Sequence, residues 1–219
     1  MDRSLGSYSP TNCEFNMTIP KLVVATTNAG KIKEFKEILG DSPFEVISKA
    51  ELKVESRDII ETGRSYASNA IAKATAISKL TGLATIADDS GLEIDALRGA
   101  PGPVSARYGM NLYNKGIQTD HDRNMLILER LRDIPISGRS ARFRACIALV
   151  LPGNLPTTRE GLCEGRIALE PKGDNGFGYD PIFLIPDGRS FAELGSYKNE
   201  ISHRAKALFA IRSVLEKFN

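Results

Sequence analysis

Hydrophobic positions along the chain switch between a period near two and a period near 3.6, and the switches mark out the elements. Lys21-Leu-Val-Val-Ala-Thr-Thr27 is a β-branched apolar run, which predicts a buried strand. Asn28-Ala-Gly30 interrupts it. Ile32, Phe35, Ile38 and Leu39 then recur at helical spacing over Lys31–Leu39, with Gly40 as the stop. A second helix is predicted over Ser65–Leu80, where Ala67, Ala70, Ile71, Ala74, Ile77 and Leu80 share a side and Gly82 ends the pattern. Leu83–Ala87 predicts a strand running into Asp88-Asp89-Ser90-Gly91. Leu92–Leu97 alternates apolar and acidic residues as a returning strand would, so both aspartates are expected at or near a strand end.

Asp120–Leu131 predicts a helix with Met125, Leu128 and Leu131 inward. Ala141–Leu151 alternates Phe143, Ala145, Ile147, Leu149 and Leu151 with Arg142, Arg144 and Cys146. Gly161–Glu170 is its expected hairpin partner across the Pro152–Pro156 turn. Ser202–Phe218 predicts a last helix burying Leu208, Ile211, Leu215 and Phe218. Helices flank strands throughout, so the fold class is α/β with a mixed sheet.

Composition narrows the function more than the fold. A net charge of +2 is too balanced to imply a nucleic-acid partner, so any anionic ligand must be held by local clusters. Cys13, Cys146 and Cys163 are odd in number and form no C-x-x-C pair, which fits a reducing compartment better than a disulfide framework. The apolar run Ala145–Leu151 is too short for a bilayer, and residues 1–17 lack the apolar stretch of a signal peptide. The expectation is a cytoplasmic protein without membrane contact: a flexible polar lead-in, residues 1–20, then a single domain, 21–219.

Four stretches carry candidate chemistry. Thr26-Thr27-Asn28-Ala29-Gly30-Lys31 places a glycine-containing turn and a lysine at a helix N-terminus, where free N–H groups favour anions. It reads equally as an ordinary strand-to-helix turn. It is not a P-loop, since Ala25 and Ile32 stand where that motif needs Gly and Ser or Thr. Asp88 and Asp89, with Glu61 upstream, offer the hard oxygens Mg²⁺ prefers, or merely an Asp-rich turn. Gly173–Pro181 combines glycines with Phe177 and Tyr179, either faces for a base or the packing of a hairpin loop. Lys198, His203 and Arg204 surround another helix start, as an anion or base-edge reader or as surface charge. Asn69 and Lys73 share a helix face, where the lysine is either a phosphate contact or, as periodicity favours, on the solvent side. Two distant histidines give no zinc site, and no G-x-S-x-G is present for a hydrolase triad.

In order, A-T-T-N-A-G-K (25–31), E-T-G (61–63), N-A-I-A-K-A (69–74), A-D-D-S-G-L (87–92), G-A-P-G-P-V-S-A-R-Y (99–108), G-F-G-Y-D-P-I-F (176–183), A-E-L (192–194) and S-H-R (202–204) resemble the inosine triphosphate pyrophosphatase family. The resemblance implies two lobes around a long mixed sheet, with a nucleotide in the cleft between them, usually in a homodimer. It implies Mg²⁺-dependent hydrolysis of ITP, dITP and XTP between the α- and β-phosphates. By the same resemblance Thr26, Thr27, Asn28, Ala29, Gly30 and Lys31 cradle the triphosphate. Glu61 and Asp89 hold the metal, and Asp89 also activates water. Ser90 contacts substrate, and Phe177, Gly178, Tyr179, Asp180, Lys198, His203 and Arg204 bind the nucleotide. Lys73 falls on a family lysine, which favours a phosphate role. Ser68 and Thr27 depart from the family's common glutamate and glycine.

Overall fold

The structure is a computed structural model that describes residues 19–54, 65–110 and 119–218. Glu61, Cys13 and the lead-in up to residue 18 lie outside the described residues, as does the side chain of Phe218. In chain order the strands and α-helices are β1 (Lys21–Val24), α1 (Ala29–Ile38), β2 (Glu45–Ser48), α2 (Tyr66–Thr81), β3 (Ala84–Ile94), α3 (Asp120–Arg130), β4 (Ser140–Val150), β5 (Thr157–Ile167), β6 (Phe183–Leu184), α4 (Lys198–Ile201) and α5 (His203–Leu215).

The strands form one mixed sheet in the order β2-β1-β3-β4-β5-β6. β1 pairs in parallel with β2 and β3, and β3 through β6 continue antiparallel. The apolar run of β1 is what a strand buried on both faces requires. Helices α1 and α5 cover one face, where Phe35, Ile38, Leu208 and Ile211 pack on Leu22, Val24, Ile86 and Ile147. Helix α2 covers the other, setting Ala70, Ala74 and Ile77 against Val23, Ala87, Cys146 and Ala148. Its small alanines let helix and sheet approach closely. Past the reach of α2, the far ends of β3, β4 and β5 enter a third core with Leu126, Ile127 and Leu131, Phe183 and Phe191. The long sheet therefore carries two lobes, as the family resemblance implies.

Helix boundaries follow the local chemistry. Asn28 caps α1 by accepting from Lys31 N at 3.0 Å, so the helix begins two residues before the predicted Lys31. Ser65 caps α2, and Gly82 ends it in the left-handed region at φ 68°. Thr119 and Asp122 form a capping box on α3.

The structure corrects several expectations. Asp88–Gly91 is no turn and Leu92–Leu97 no returning strand: β3 runs unbroken, paired with β4 from Thr85↔Val150 to Ile94↔Ala141. Gly91 is required for a different reason, because a Cβ there would lie 2.2 Å from the Gly102 carbonyl oxygen. The aspartates thus sit in mid-strand. Leu80 and Met125 are exposed, each at a flank of its helix's buried stripe. The partner of β4 runs over Thr157–Ile167 and stops short of Glu170. Among the described residues no helix is long and apolar enough to cross a membrane.

Candidate active site

Neighbouring residues of a strand point to opposite faces, and the pair in β3 divides its work accordingly. Asp88 faces α1 and α5. Its Oδ2 pairs with Lys31 Nζ at 2.6 Å and Arg204 Nη2 at 3.0 Å, and accepts from Ser90 Oγ at 3.0 Å. Asp89 faces α2, where Lys73 Nζ meets Oδ1 at 2.9 Å and Asn69 Nδ2 donates to Oδ2 at 3.0 Å. Lys73 is therefore not on the solvent side: it lies one turn after Asn69 on the flank of the alanine stripe and folds onto the sheet.

Burial alone would raise both carboxylates, but their cations differ in strength. At Asp88 the charges of Arg204 and Lys31 overcome desolvation and hold the carboxyl well below its ordinary range. At Asp89 burial wins over Lys73 and Asn69, so its pKa is raised and its carboxylate is a stronger base than an exposed aspartate.

A chain of alternating charges leads away from Asp88. Arg204 also pairs with Glu34, whose Oε1 meets Lys198 Nζ at 2.8 Å, and Lys198 meets Asp180 Oδ2 at 2.6 Å. Burial disfavours the Glu34 anion, yet Arg204 and Lys198 reverse the effect and lower its pKa. Asp180 is raised by burial, against the pull of Lys198, and accepts from Phe177 N at 2.9 Å. Glu34 went unnoticed in the sequence. Its signal was the i, i+3 step from Lys31 and the i, i+4 step to Ile38, which place it on the inward stripe of α1.

Phe177 closes over this chain, its ring 4.7 Å from Lys198 Nζ and 5.6 Å from the Arg204 guanidinium carbon. It packs so closely on α1 that a Cβ at Gly30 would lie 2.3 Å from the ring. His203 stacks on Phe143 with centroids 4.7 Å apart, and burial, reinforced by Arg204, holds its pKa well below 6.5. The imidazole is neutral, and among the described residues its buried Nδ1 has no hydrogen-bond partner.

These groups line two adjoining cavities that share Asn28, Lys31, Ser90 and Ala106. One, about 150 Å³, has aromatic walls: Phe143, Phe177 and Tyr179 with Gly178, Asp180, Lys198, His203 and Arg204. The other, about 220 Å³, is cationic and holds Thr26, Thr27, Lys49, Lys73, Asp88, Asp89 and Arg107. Ala29 and Gly30 line neither: Ala29 borders a groove with Lys33 and Lys36, and Gly30 supports Phe177. Tyr179 is in the wall, with its hydroxyl donating to Ser105 O at 2.7 Å. Lys49, Asp120, Arg123 and Phe143 join the lining without having been singled out in the sequence, and so do Ser105 and Arg107, which lie in the 99–108 motif but were given no role. Glu61, the second expected metal ligand, lies outside the described residues.

A cleft that is aromatic at one end and cationic at the other, with a basic carboxylate in the cationic wall, defines an α/β protein shaped for a phosphate-bearing ring compound. The profile of the Ham1 family matches residues 22–214, and the chain belongs to that family. The "dITP/XTP pyrophosphatase" of Bacillus subtilis (strain 168) is 47% identical over 197 residues, covering 89% of this chain and 96% of the relative. That of Thermus thermophilus is 42% identical, covering 90% and 91%. The solved HAM1 protein of Coxiella burnetii superposes with a TM-score of 0.78 at 42% identity, over 90% of this chain and 99% of that one. The Staphylococcus aureus Ham1 protein gives 0.76 at 37% identity.

Proposed function

We propose that this chain hydrolyses non-standard purine nucleoside triphosphates, among them ITP, dITP and XTP, to the monophosphate and pyrophosphate. The observation that carries the reading is the pair of adjoining cavities, one aromatic-walled and one cationic, with a carboxylate of raised basicity, Asp89, in the wall of the cationic one. Relatives spanning nearly the whole chain are named for this activity on dITP and XTP.

In this reading the phosphates lie in the cationic cavity beside the start of α1, where Lys31 and the positive end of the helix dipole favour anions. The base enters the aromatic cavity. Inosine and xanthine carry a 6-oxo acceptor where adenine has an amino donor, so a donor at the base edge, from Arg204 or His203, rewards the former and not the latter. A site built on such a bond discriminates by roughly 10⁴-fold. Asp89 takes the proton of the attacking water, and Lys73 and Asn69 fix which lone pair faces it.

Asp89, a carboxylate in the wall of the cationic cavity, is a donor of the kind Mg²⁺ takes, an ion that uses few protein oxygens and leaves other positions to phosphate and water. Asp89, with Glu61, would hold it, and the ion would neutralise charge developing on the departing pyrophosphate. A cytoplasmic location, which rests on cysteine usage, and a homodimer, which rests on the family resemblance alone, belong to the same reading; light scattering tests the assembly.

A panel of ITP, XTP, dITP, ATP and GTP with Mg²⁺ tests the function, with pyrophosphate and phosphate both followed. Equal turnover of ATP, or release of single phosphates, sinks it. Asp89→Asn is expected to lose ~10²- to 10⁴-fold in kcat with its fold intact; a near wild-type rate removes the role given to that carboxylate. Chelation should abolish turnover and added Mg²⁺ restore it.

A further inference from the structure

Gly178 is the joint between two walls of the aromatic cavity, Phe177 and Tyr179. Nothing crowds a Cβ there, so the position needs glycine for its φ of +62°. That freedom would leave the spacing of the two rings loose unless another element removed it. Helix α3 does so. Asp120 Oδ2 accepts from Gly178 N at 2.7 Å, and Asn124 Nδ2 donates to Gly178 O at 3.1 Å. The two side chains are four residues apart and share one face of the helix, and between them they hold both peptide planes that meet at Gly178.

The stability of α3 does not account for either side chain. Thr119 and Asp122 already cap the helix, and Arg123 pairs with Asp120 Oδ1, which leaves Oδ2 to Gly178. Asn124 is buried in a helix whose other buried residues are Leu126, Ile127 and Leu128, and among the described residues its Oδ1 has no hydrogen-bond partner. A buried amide that satisfies one end only is worse for the fold than an apolar side chain of its size, so its use lies in the bond to Gly178. The two rings also differ in what else holds them. Tyr179 is anchored at its far end, where its hydroxyl donates to Ser105 O. Phe177 has no polar atom on its ring and takes its pose from the backbone, held by Asp180 at its own N–H and by α3 at the next residue.

We propose that Asp120 and Asn124 are positioning residues for recognition of the base: acting through Gly178, they set the pose of Phe177 in the wall of the aromatic cavity. The inference rests on the reading that a purine base enters that cavity, but binding of a nucleoside monophosphate can be measured whether or not turnover is seen.

Titration calorimetry with inosine monophosphate, and separately with inorganic pyrophosphate, which has no base, is the direct test. Asp120→Ala is expected to weaken inosine monophosphate roughly fivefold and to leave pyrophosphate unchanged, with a cooperative thermal melt retained. Asn124→Ala should show the same selective loss. Asp120→Asn keeps an acceptor for Gly178 N and should restore most of the affinity. A double-mutant cycle gives a readout that general damage to α3 would not move: in a Phe177→Leu background, Asp120→Ala should cost almost nothing further. The cycle is read on inosine monophosphate alone, so it decides the matter even without pyrophosphate binding. Glu129→Gln, on the exposed side of α3, should change neither affinity. Equal losses for both ligands, additive losses in the cycle, no recovery in Asp120→Asn, or no monophosphate binding by the wild type overturns the positioning role. A failed substrate panel with the selective loss intact overturns the reaction and leaves the positioning role standing.

Discussion

The two ends of the cleft are built on different principles. Around the aromatic cavity, Arg204, Glu34, Lys198 and Asp180 are all nearly excluded from solvent, and each charge is answered by another. Around the cationic cavity, Thr27, Asn28 and Arg107 are exposed, Lys49 is half-buried, and Lys31, Lys49, Lys73 and Arg107 stand among the described lining residues. Recognition of a ring edge needs donors already dry and already aimed, because an unpaired donor there is what rejects the wrong base. Holding a polyanion needs only enough positive charge within reach. The first kind of site is costly to disturb; the second tolerates substitution in the fold and registers it in affinity.

Removing one charge at each end is the strongest way to break that contrast. Arg204→Met leaves Glu34 and Asp88 buried without their shared cation, and is expected to cost about 3–5 kcal/mol of stability in a urea titration. Arg107→Met should change stability by less than about 0.5 kcal/mol. Similar losses at both ends would erase the distinction. A smaller effect is expected from Gly30→Val, which drives a side chain into the space of Phe177 and should cost about 1–3 kcal/mol. Its KM for ITP should rise while pyrophosphate affinity holds; a fall in both would mean that the two chambers are not independent.

The mildest effect belongs to His203. Its folded pKa is depressed by burial below the unfolded value of about 6.5, so its contribution is fully present above that pH and is lost as the solution is acidified. The loss should approach about 1.4 kcal/mol per pH unit below 6.5. His203→Phe should flatten that part of the curve relative to wild type, and identical slopes would place the pH sensitivity elsewhere.

The same contrast explains what the sequence disclosed. Periodic elements were legible because burial imposes their period: β1, α1, α2, β4 and α5 lie within a few residues of where the apolar pattern put them. The reading failed at β3 because Ser90-Gly91 looks like turn chemistry, whereas the glycine answers a carbonyl contributed by Gly102, a contact between segments that no local pattern encodes. In the site, the residues at helix starts could be read from the chain, since a turn before a helix advertises its N–H groups. The inward turn of Glu34 and the pairing of Lys73 with Asp89 could not, because an ion pair across a fold has no signature in either segment alone. Glu34 is a charged residue on an apolar stripe, and that breach of pattern was the one available hint.

β3 runs through both lobes, contributing Ile86 to the core under α1 and α5 and Leu92 and Ile94 to the core with α3. Asp88, Asp89 and Ser90 occupy its middle, hydrogen-bonded on the β4 side throughout. Should the lobes rock against each other on a ligand, the long strands are the beam that bends, and the carboxylates sit at its fulcrum. A bend there would swing the walls of both cavities while leaving the carboxylates at the fulcrum almost still.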